Sequence, residues 1–216
     1  MILSRGRRYI FIHIPKTGGT AMAQALETRA MKDDILAGNT PKAKKRQHRL
    51  VGLGSKGRIW KHATLDDLMG LVEPRELDDM FVFTLVRNPW DRIVSYYHWL
   101  RERNFQHAAV GLAQNLEFAE FVAHPEISAS LRYYSYQSYL TVDGVCHGHF
   151  LRLEHFHEDA QPLWDHLGFT LDLPRLNRSD RNVDYRTYYD EALAAHVARI
   201  CAQDIARFGY SFENTQ

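Results

Sequence analysis

An apolar run that ends in a glycine turn constrains this chain more than any other stretch of its sequence. Tyr9–Ile14 consists mostly of β-branched and aromatic residues, the pattern of a short buried strand. Pro15 ends the run, the segment Lys16–Thr20 follows at once, and a helical pattern begins at Ala21. A strand, a glycine turn and a helix in this order collect backbone N–H groups and the positive end of a helix at one point. The stretch therefore predicts a site for a phosphate or another tetrahedral oxyanion.

The order of residues within this turn argues against an ATP-type phosphate loop. In the pattern GxxxxGK[ST] the lysine and the hydroxyl residue follow the glycines, whereas here Lys16 precedes Gly18 and Gly19. Lys16 adds a mobile positive charge, and Thr17 and Thr20 add hydroxyl donors. A P-loop kinase-type phosphotransferase is disfavoured by this order and is kept as an alternative.

A second junction between a strand and a helix carries another group of polar residues. The apolar run Met80–Val86 predicts a central parallel strand, after which a helical pattern begins. Asn88 takes the N-cap position and Asp91 the position of a capping-box acid. Ser95 shares a helix face with both, and Arg87 leaves the strand where that face begins. An arginine fork and a serine hydroxyl can therefore converge on one oxyanion.

Strands and helices alternate along the chain, which predicts an α/β fold around a parallel sheet with right-handed crossovers. A further strand is expected at His149–Leu153 and a long amphipathic helix at Tyr189–Phe208, whereas 104–114 has no pattern and is expected to be a loop. Neither an internal repeat nor a low-complexity linker interrupts the sequence. Residues 1–216 are therefore expected to form a single domain.

A basic segment follows the first predicted helix. Residues 39–49 have few apolar anchors and contain Lys42, Lys44, Lys45, Arg46 and Arg49. Such a composition is typical of a solvated flexible loop. The alternative is a basic flap that covers an anionic ligand or an acidic acceptor.

Composition narrows the class of protein. The formal net charge of +1 gives no whole-molecule field that favours nucleic acid. Cys146 and Cys201 lie far apart in the sequence, which favours a reducing compartment. Cys146, His147 and His149 have no second pair of ligands at the sequence spacing of a metal site, so no metal is expected. There is no apolar run near the roughly 20 residues of a membrane span. Together with the missing signal peptide, this predicts a soluble cytoplasmic protein.

Taken together, the two motifs resemble those of the sulfotransferase superfamily, whose members use 3′-phosphoadenosine-5′-phosphosulfate (PAPS). PKTGGT resembles the segment that grips the 5′-phosphosulfate, and RNPWDRIVSYY resembles the one that grips the 3′-phosphate through an Arg and a Ser eight positions later. FLRLEHF, LNRSDR and DIARFGYSF are similar to segments of the carbohydrate sulfotransferase branch, and the likeness covers Tyr9–Phe212. The resemblance implies a P-loop-like three-layer fold, with a parallel sheet flanked by helices, and a soluble member of bacterial type.

The resemblance also implies a role for individual residues. His62, in KHAT, is similar to the base of glycan 2-O-sulfotransferases, and Lys16 would stabilise the departing phosphate. The implied reaction is in-line transfer of a sulfuryl group from PAPS to an acceptor hydroxyl, expected on a carbohydrate, without a metal. A non-catalytic nucleotide- or anion-binding module of the same fold is the other alternative. The residues implied to bind the donor fall into three groups. Those of motif 13–20 are Lys16, Thr17, Gly18, Gly19 and Thr20, and those of motif 87–95 are Arg87 and Ser95. Arg178 and Ser179 are implied to close over the nucleotide.

Overall fold

The apolar runs of the sequence form the middle of a sheet. A computed structural model describes residues 1–174 and 181–213. The strands within these residues are β1 (Ile2–Ser4), β2 (Tyr9–Ile12), β3 (Ile35–Leu36), β4 (Phe81–Val86), β5 (Thr141–Val142), β6 (Val145–Cys146) and β7 (His149–Arg152). Five of them form one sheet in the order β3-β1-β2-β4-β7, and β5 and β6 pair separately as a hairpin.

The central strands of the sheet are parallel. Ile12 of β2 lies opposite Thr84 of β4, and Val86 of β4 lies opposite Arg152 of β7. β1 runs antiparallel to both β2 and β3. All four residues of β2 are buried, as expected for a strand that is covered on both faces. The mixed α/β architecture, with mostly parallel strands in the middle and helices on the flanks, confirms the predicted fold class.

A helix follows each of β2 and β4, as the sequence predicts, whereas further along the chain several helices follow one another without a strand between them. The helical pattern expected after the second apolar run forms the helix Pro89–Arg101. The helices are α1 (Gly19–Thr28), α2 (Pro41–Arg46), α3 (Pro74–Asp78), α4 (Pro89–Arg101), α5 (Ala108–Asn115), α6 (Phe118–Ala123), α7 (Pro125–Tyr133), α8 (Phe156–Asp159), α9 (Gln161–Leu167), α10 (Glu191–Ile200) and α11 (Ala202–Phe208). Short 3₁₀ turns lie at Gln47–Leu50, Asp66–Leu68, Gln137–Leu140, Leu153–His155 and Tyr185–Tyr188.

The described residues group into two compact units. The first contains Met1–Val86 and the described part of Tyr136–Leu176, and the second contains Arg87–Ser135 and the described part of Asn177–Gln216. The first unit has a core in which α1, α8 and α9 cover one face of the sheet through Met22, Leu26, Phe156, Leu163 and Trp164. The single domain expected for residues 1–216 stays a prediction.

The basic segment is helical, so the prediction of a flexible loop was wrong. Thr40 caps α2 by accepting a hydrogen bond from the backbone N–H of Ala43 at 3.2 Å, and Pro41 takes the first turn. Ala43 is buried in the core of the first unit, which supplies the apolar anchor that the composition concealed. The stretch 104–114, expected to be a loop, is also helical over most of its length, because α5 begins at Ala108.

No helix among residues 1–174 and 181–213 combines the length and the apolar character needed to cross a membrane.

Candidate functional site

The turn after β2 has the backbone shape of an anion-binding loop. Lys16 (φ 68) and Gly18 (φ 86) take left-handed conformations, and α1 begins at Gly19. Gly18 occupies the N-cap position, and its carbonyl accepts from the N–H groups of Ala21 and Met22. Because the cap has no side chain and the first turn has no acidic residue, the positive end of α1 can face an anion. This geometry supports the expected use of the turn.

The two threonines of the turn serve different purposes. Thr17 is fully buried, and its hydroxyl donates to the carbonyl of Ile14 at 3.0 Å. This bond closes the turn, so the hydroxyl hydrogen of Thr17 is used within the protein. Thr20 is partly exposed at the first turn of α1, and its hydroxyl accepts a hydrogen bond from Nζ of Lys61 at 3.2 Å.

Lys61 brings a second ammonium group to the start of α1, which the sequence reasoning did not predict. Its position next to His62, the candidate base in KHAT, could have indicated this role. Lys16 and Lys61 both act electrostatically on the buried ring of His13, which is consistent with two cations at this end of the sheet. A charge of this sign at this place complements phosphate and sulfate oxygens.

The orientation of His62 determines which ring nitrogen can take a proton. Nδ1 of His62 lies 2.7 Å from the carbonyl oxygen of His13. A carbonyl oxygen only accepts hydrogen bonds, so Nδ1 carries the hydrogen and Nε2 of the neutral ring carries the lone pair. The indole of Trp60 stands at 83° to this imidazole, with 5.2 Å between the ring centroids. The imidazole is thus fixed as a general base requires.

His13 lies beneath the turn and is 3 % exposed. Its ring stacks on Phe11 with 5.9 Å between centroids and meets His62 edge-on at 4.7 Å. Burial, followed by the charge of His62, lowers the pKa of His13 well below its usual 6.5. A Cβ placed on Gly19 would lie 2.5 Å from Nε2 of this ring, so the residue at 19 must be glycine to admit the imidazole.

In the second unit, Arg87 and Asp91 form an ion pair at the start of α4. Nε of Arg87 donates to Oδ2 of Asp91 at 2.8 Å, and Nη2 donates to the same oxygen. The other carboxylate oxygen, Oδ1, accepts from Nη2 of Arg181 at 2.6 Å. Asp91 was expected as a capping-box acid, and its carboxylate instead joins two arginines that are far apart in sequence. Neither this role nor that of Arg181 was predicted.

The remaining residues of the second motif lie on the buried side of α4. Asn88 is the N-cap, as predicted, since its Oδ1 accepts from the N–H of Trp90 at 3.1 Å. Its Nδ2 donates to the hydroxyl of Tyr185 and to the carbonyl of Ser211. Ser95 is buried one turn beyond Asp91, on the same helix face. Arg178 and Ser179, the other two predicted nucleotide ligands, lie outside the described residues.

Among the residues that the structure describes, no group of three or more His, Cys, Asp or Glu side chains is arranged to hold a metal ion. That no metal takes part stays a prediction.

Comparison with known proteins identifies a family. A family model described as "Sulfotransferase family" matches residues 1–211 of the chain. No curated protein and no solved structure matches the chain.

Proposed function

We propose that this chain, which belongs to the sulfotransferase family, transfers a sulfuryl group from PAPS to the hydroxyl of a carbohydrate, with His62 as the general base. The observation that carries the proposal is the hydrogen bond from Nδ1–H of His62 to the carbonyl of His13. It holds Nε2 ready to accept a proton, in the same unit as a turn that suits an oxyanion.

The residues of the turn fit the 5′-phosphosulfate of the donor. The backbone N–H groups at the start of α1 and the ammonium groups of Lys16 and Lys61 would hold its oxygens. When bound, PAPS supplies the sulfuryl group and departs as adenosine 3′,5′-bisphosphate. Lys16 would stabilise the negative charge that grows on the departing phosphate oxygen, so its effect should be larger in the transition state than in the bound donor.

In the proposed transfer, the role of His62 is to remove the proton of the acceptor hydroxyl. Nε2 takes the proton of the acceptor hydroxyl as the new S–O bond forms, and the electron pair of the breaking S–O bond stays on the phosphate. A sulfuryl group carries less charge than a phosphoryl group, so the cations of the chain itself suffice in this scheme. Arg87 and Ser95, with Arg178 and Ser179, are proposed to hold the 3′-phosphate.

The surroundings of His62 favour a sugar as acceptor. Trp60 is 45 % exposed and its indole lies beside the imidazole of His62, so a ring stacked on the indole would lie close to the candidate base. The flat apolar face of a sugar ring can stack on the indole while its hydroxyls reach the imidazole. The guanidinium of Arg58 lies 6.0 Å from the centroid of the Trp60 ring, where a charged sugar substituent could pair with it.

The donor and base assignments can be tested separately. Titration calorimetry with adenosine 3′,5′-bisphosphate measures donor affinity, and transfer of labelled sulfate to a panel of saccharides measures turnover. His62→Ala should lower kcat by about 10²- to 10⁴-fold and leave the Kd of the bisphosphate within about twofold. Lys16→Ala should lower turnover more strongly than it weakens binding of the bisphosphate.

The matched control for His62→Ala is His157→Ala, because His157 is exposed on α8 of the same unit. Its turnover should equal that of the wild type. Full turnover in His62→Ala would place the base elsewhere. Binding of the bisphosphate without transfer to any acceptor would favour the non-catalytic module, and a preference for ATP would favour the kinase-type alternative.

A further inference from the structure

The carboxylate of Asp91 is buried between two arginines of the second unit. Its side chain is 5 % exposed, that of Arg87 is 14 % exposed and that of Arg181 is 11 % exposed. Each carboxylate oxygen serves one arginine, because Oδ2 accepts from Arg87 and Oδ1 accepts from Arg181 at 2.6 Å. We call these three residues the arginine pair with its bridging aspartate.

The bridging carboxylate solves an electrostatic problem. Two guanidinium groups this poorly exposed repel each other and lose much of their hydration, so neither would keep one orientation without an anion between them. Asp91 neutralises one of the two charges and holds both planar forks by hydrogen bonds. The group of three keeps one net positive charge, and Nη1 of Arg181 lies 3.4 Å from the carbonyl oxygen of Asn182, to which it donates.

We infer that Arg181 is a second ligand of the donor's 3′-phosphate and that Asp91 is the positioning residue for both arginines. The inference rests on the proposed function, in which Arg87 already holds this phosphate. A phosphate monoester presents three strong acceptor oxygens, more than the fork of one arginine engages. The 3′-phosphate is a monoester, so the arginine pair sets the selectivity for donors that are phosphorylated at the 3′ position.

Asp91 itself does not contact the phosphate in this arrangement. A carboxylate beside a phosphate is repulsive unless its own charge is compensated, and both oxygens of Asp91 are engaged by cations. If only net charge mattered, removing the charge of Asp91 would strengthen phosphate binding, whereas this arrangement predicts that it weakens it. Asp91→Asn removes a negative charge from a phosphate site, yet it should weaken phosphate binding because the amide cannot hold both arginines.

The test compares two nucleotides that differ only in the 3′-phosphate. Calorimetry gives the Kd of adenosine 3′,5′-bisphosphate and of adenosine 5′-monophosphate, and the Kd of the monophosphate divided by that of the bisphosphate isolates the contribution of the 3′-phosphate. Arg181→Gln should weaken the bisphosphate by about 10- to 100-fold and leave the monophosphate within about twofold. Asp91→Asn should lower the ratio in the same direction. Arg181→Lys keeps the charge but not the fork, so it should lie between the wild type and Arg181→Gln.

A matched control is available in the same unit. Arg186 pairs with Asp184 at 2.9 Å, but both side chains are more than one-third exposed, so Arg186→Gln should leave the ratio unchanged. Thermal melting without ligand identifies a variant that fails to fold. Arg181→Lys then replaces Arg181→Gln, and Asp91→Glu, whose longer side chain would misplace both forks, replaces Asp91→Asn. An unchanged ratio in Arg181→Gln overturns the role of Arg181, and an unchanged or raised ratio in Asp91→Asn overturns that of Asp91. Equal affinities of the wild type for both nucleotides would instead overturn the proposed donor itself.

Discussion

Replacing Gly19 by alanine should damage the turn through one identifiable clash. The new Cβ would lie 2.5 Å from Nε2 and 2.8 Å from Cγ of His13, whereas such atoms pack at about 3.5 Å or more. The imidazole must therefore move by about 1 Å. It cannot do so freely, because Phe11 stacks on it and His62 meets its edge at 4.7 Å between centroids. Overpacking of a filled core costs about 1 to 3 kcal/mol, and we expect Gly19→Ala to lose that much stability.

The clash predicts that a second substitution restores part of the loss. His13→Ala removes the ring that the new methyl group strikes, although this variant alone is destabilised by the cavity that it leaves. In the double variant Gly19→Ala with His13→Ala, the added methyl group enters that space. Urea unfolding followed by tryptophan fluorescence gives the free energy of unfolding of all four proteins. The double variant should be more stable than the sum of the single losses by about 0.5 to 3 kcal/mol.

The control for this cycle is Gly111→Ala, in the middle of α5. A Cβ at Gly111 meets nothing within 4 Å, so this change should stabilise the protein by about 0.5 to 1 kcal/mol through helix propensity. Losses at Gly19 and His13 that add within about 0.5 kcal/mol would refute the contact between them. A loss in Gly111→Ala as large as that in Gly19→Ala would show that alanine harms this protein for another reason.

Three further predictions concern stability and reactivity. Because burial lowers the pKa of His13, unfolding takes up a proton below about pH 6.5, so the free energy of unfolding should decrease by up to about 1.4 kcal/mol for each unit by which the pH falls. Urea unfolding at several values between about pH 7 and pH 5 measures this dependence, which should be weaker in His13→Gln. Burial raises the pKa of the Cys201 thiol to about 12, so a disulfide reagent should label the partly exposed Cys146 first in the native protein and both thiols in denaturant. Arg46→Gln should cost about 0.5 to 1.5 kcal/mol in unfolding experiments, and the exposed Lys45→Gln close to nothing.

The elements that the sequence predicts well are those whose signals are local. β4 is a continuous apolar run, and α4 carries its own start signals, an asparagine cap and a proline in the first turn. The signal for the turn after β2 is also local, because Gly18 takes the left-handed conformation that a glycine favours. The ends of helices are harder to predict where no proline or glycine marks them. The expected helix Tyr189–Phe208 is interrupted at Cys201, and nothing in the side chains explains the break.

The contacts that define the candidate site are harder to predict, because they join distant parts of the chain. Lys61 meets Thr20 across 41 positions, and Arg181 meets Asp91 across 90. Each of these side chains also has an ordinary local explanation, such as a solvated lysine or a helix-capping acid. Sequence spacing along one helix reveals that Arg87 and Asp91 can pair, whereas the second arginine requires the tertiary fold.

The basic segment shows why composition alone misled the prediction there. The last turn of α1 contains no basic residue, although the carbonyl groups at a helix end carry partial negative charge. α2 supplies the missing cations, since Lys42 donates to the carbonyl of Glu27 and Arg46 donates to that of Met31 at 2.8 Å. Arg49 similarly donates to the carbonyl of Lys32. These side chains therefore stabilise the carbonyl groups at the end of α1 and in the turn after it. A flap over an anionic ligand would have to use the two exposed lysines of the segment, Lys44 and Lys45.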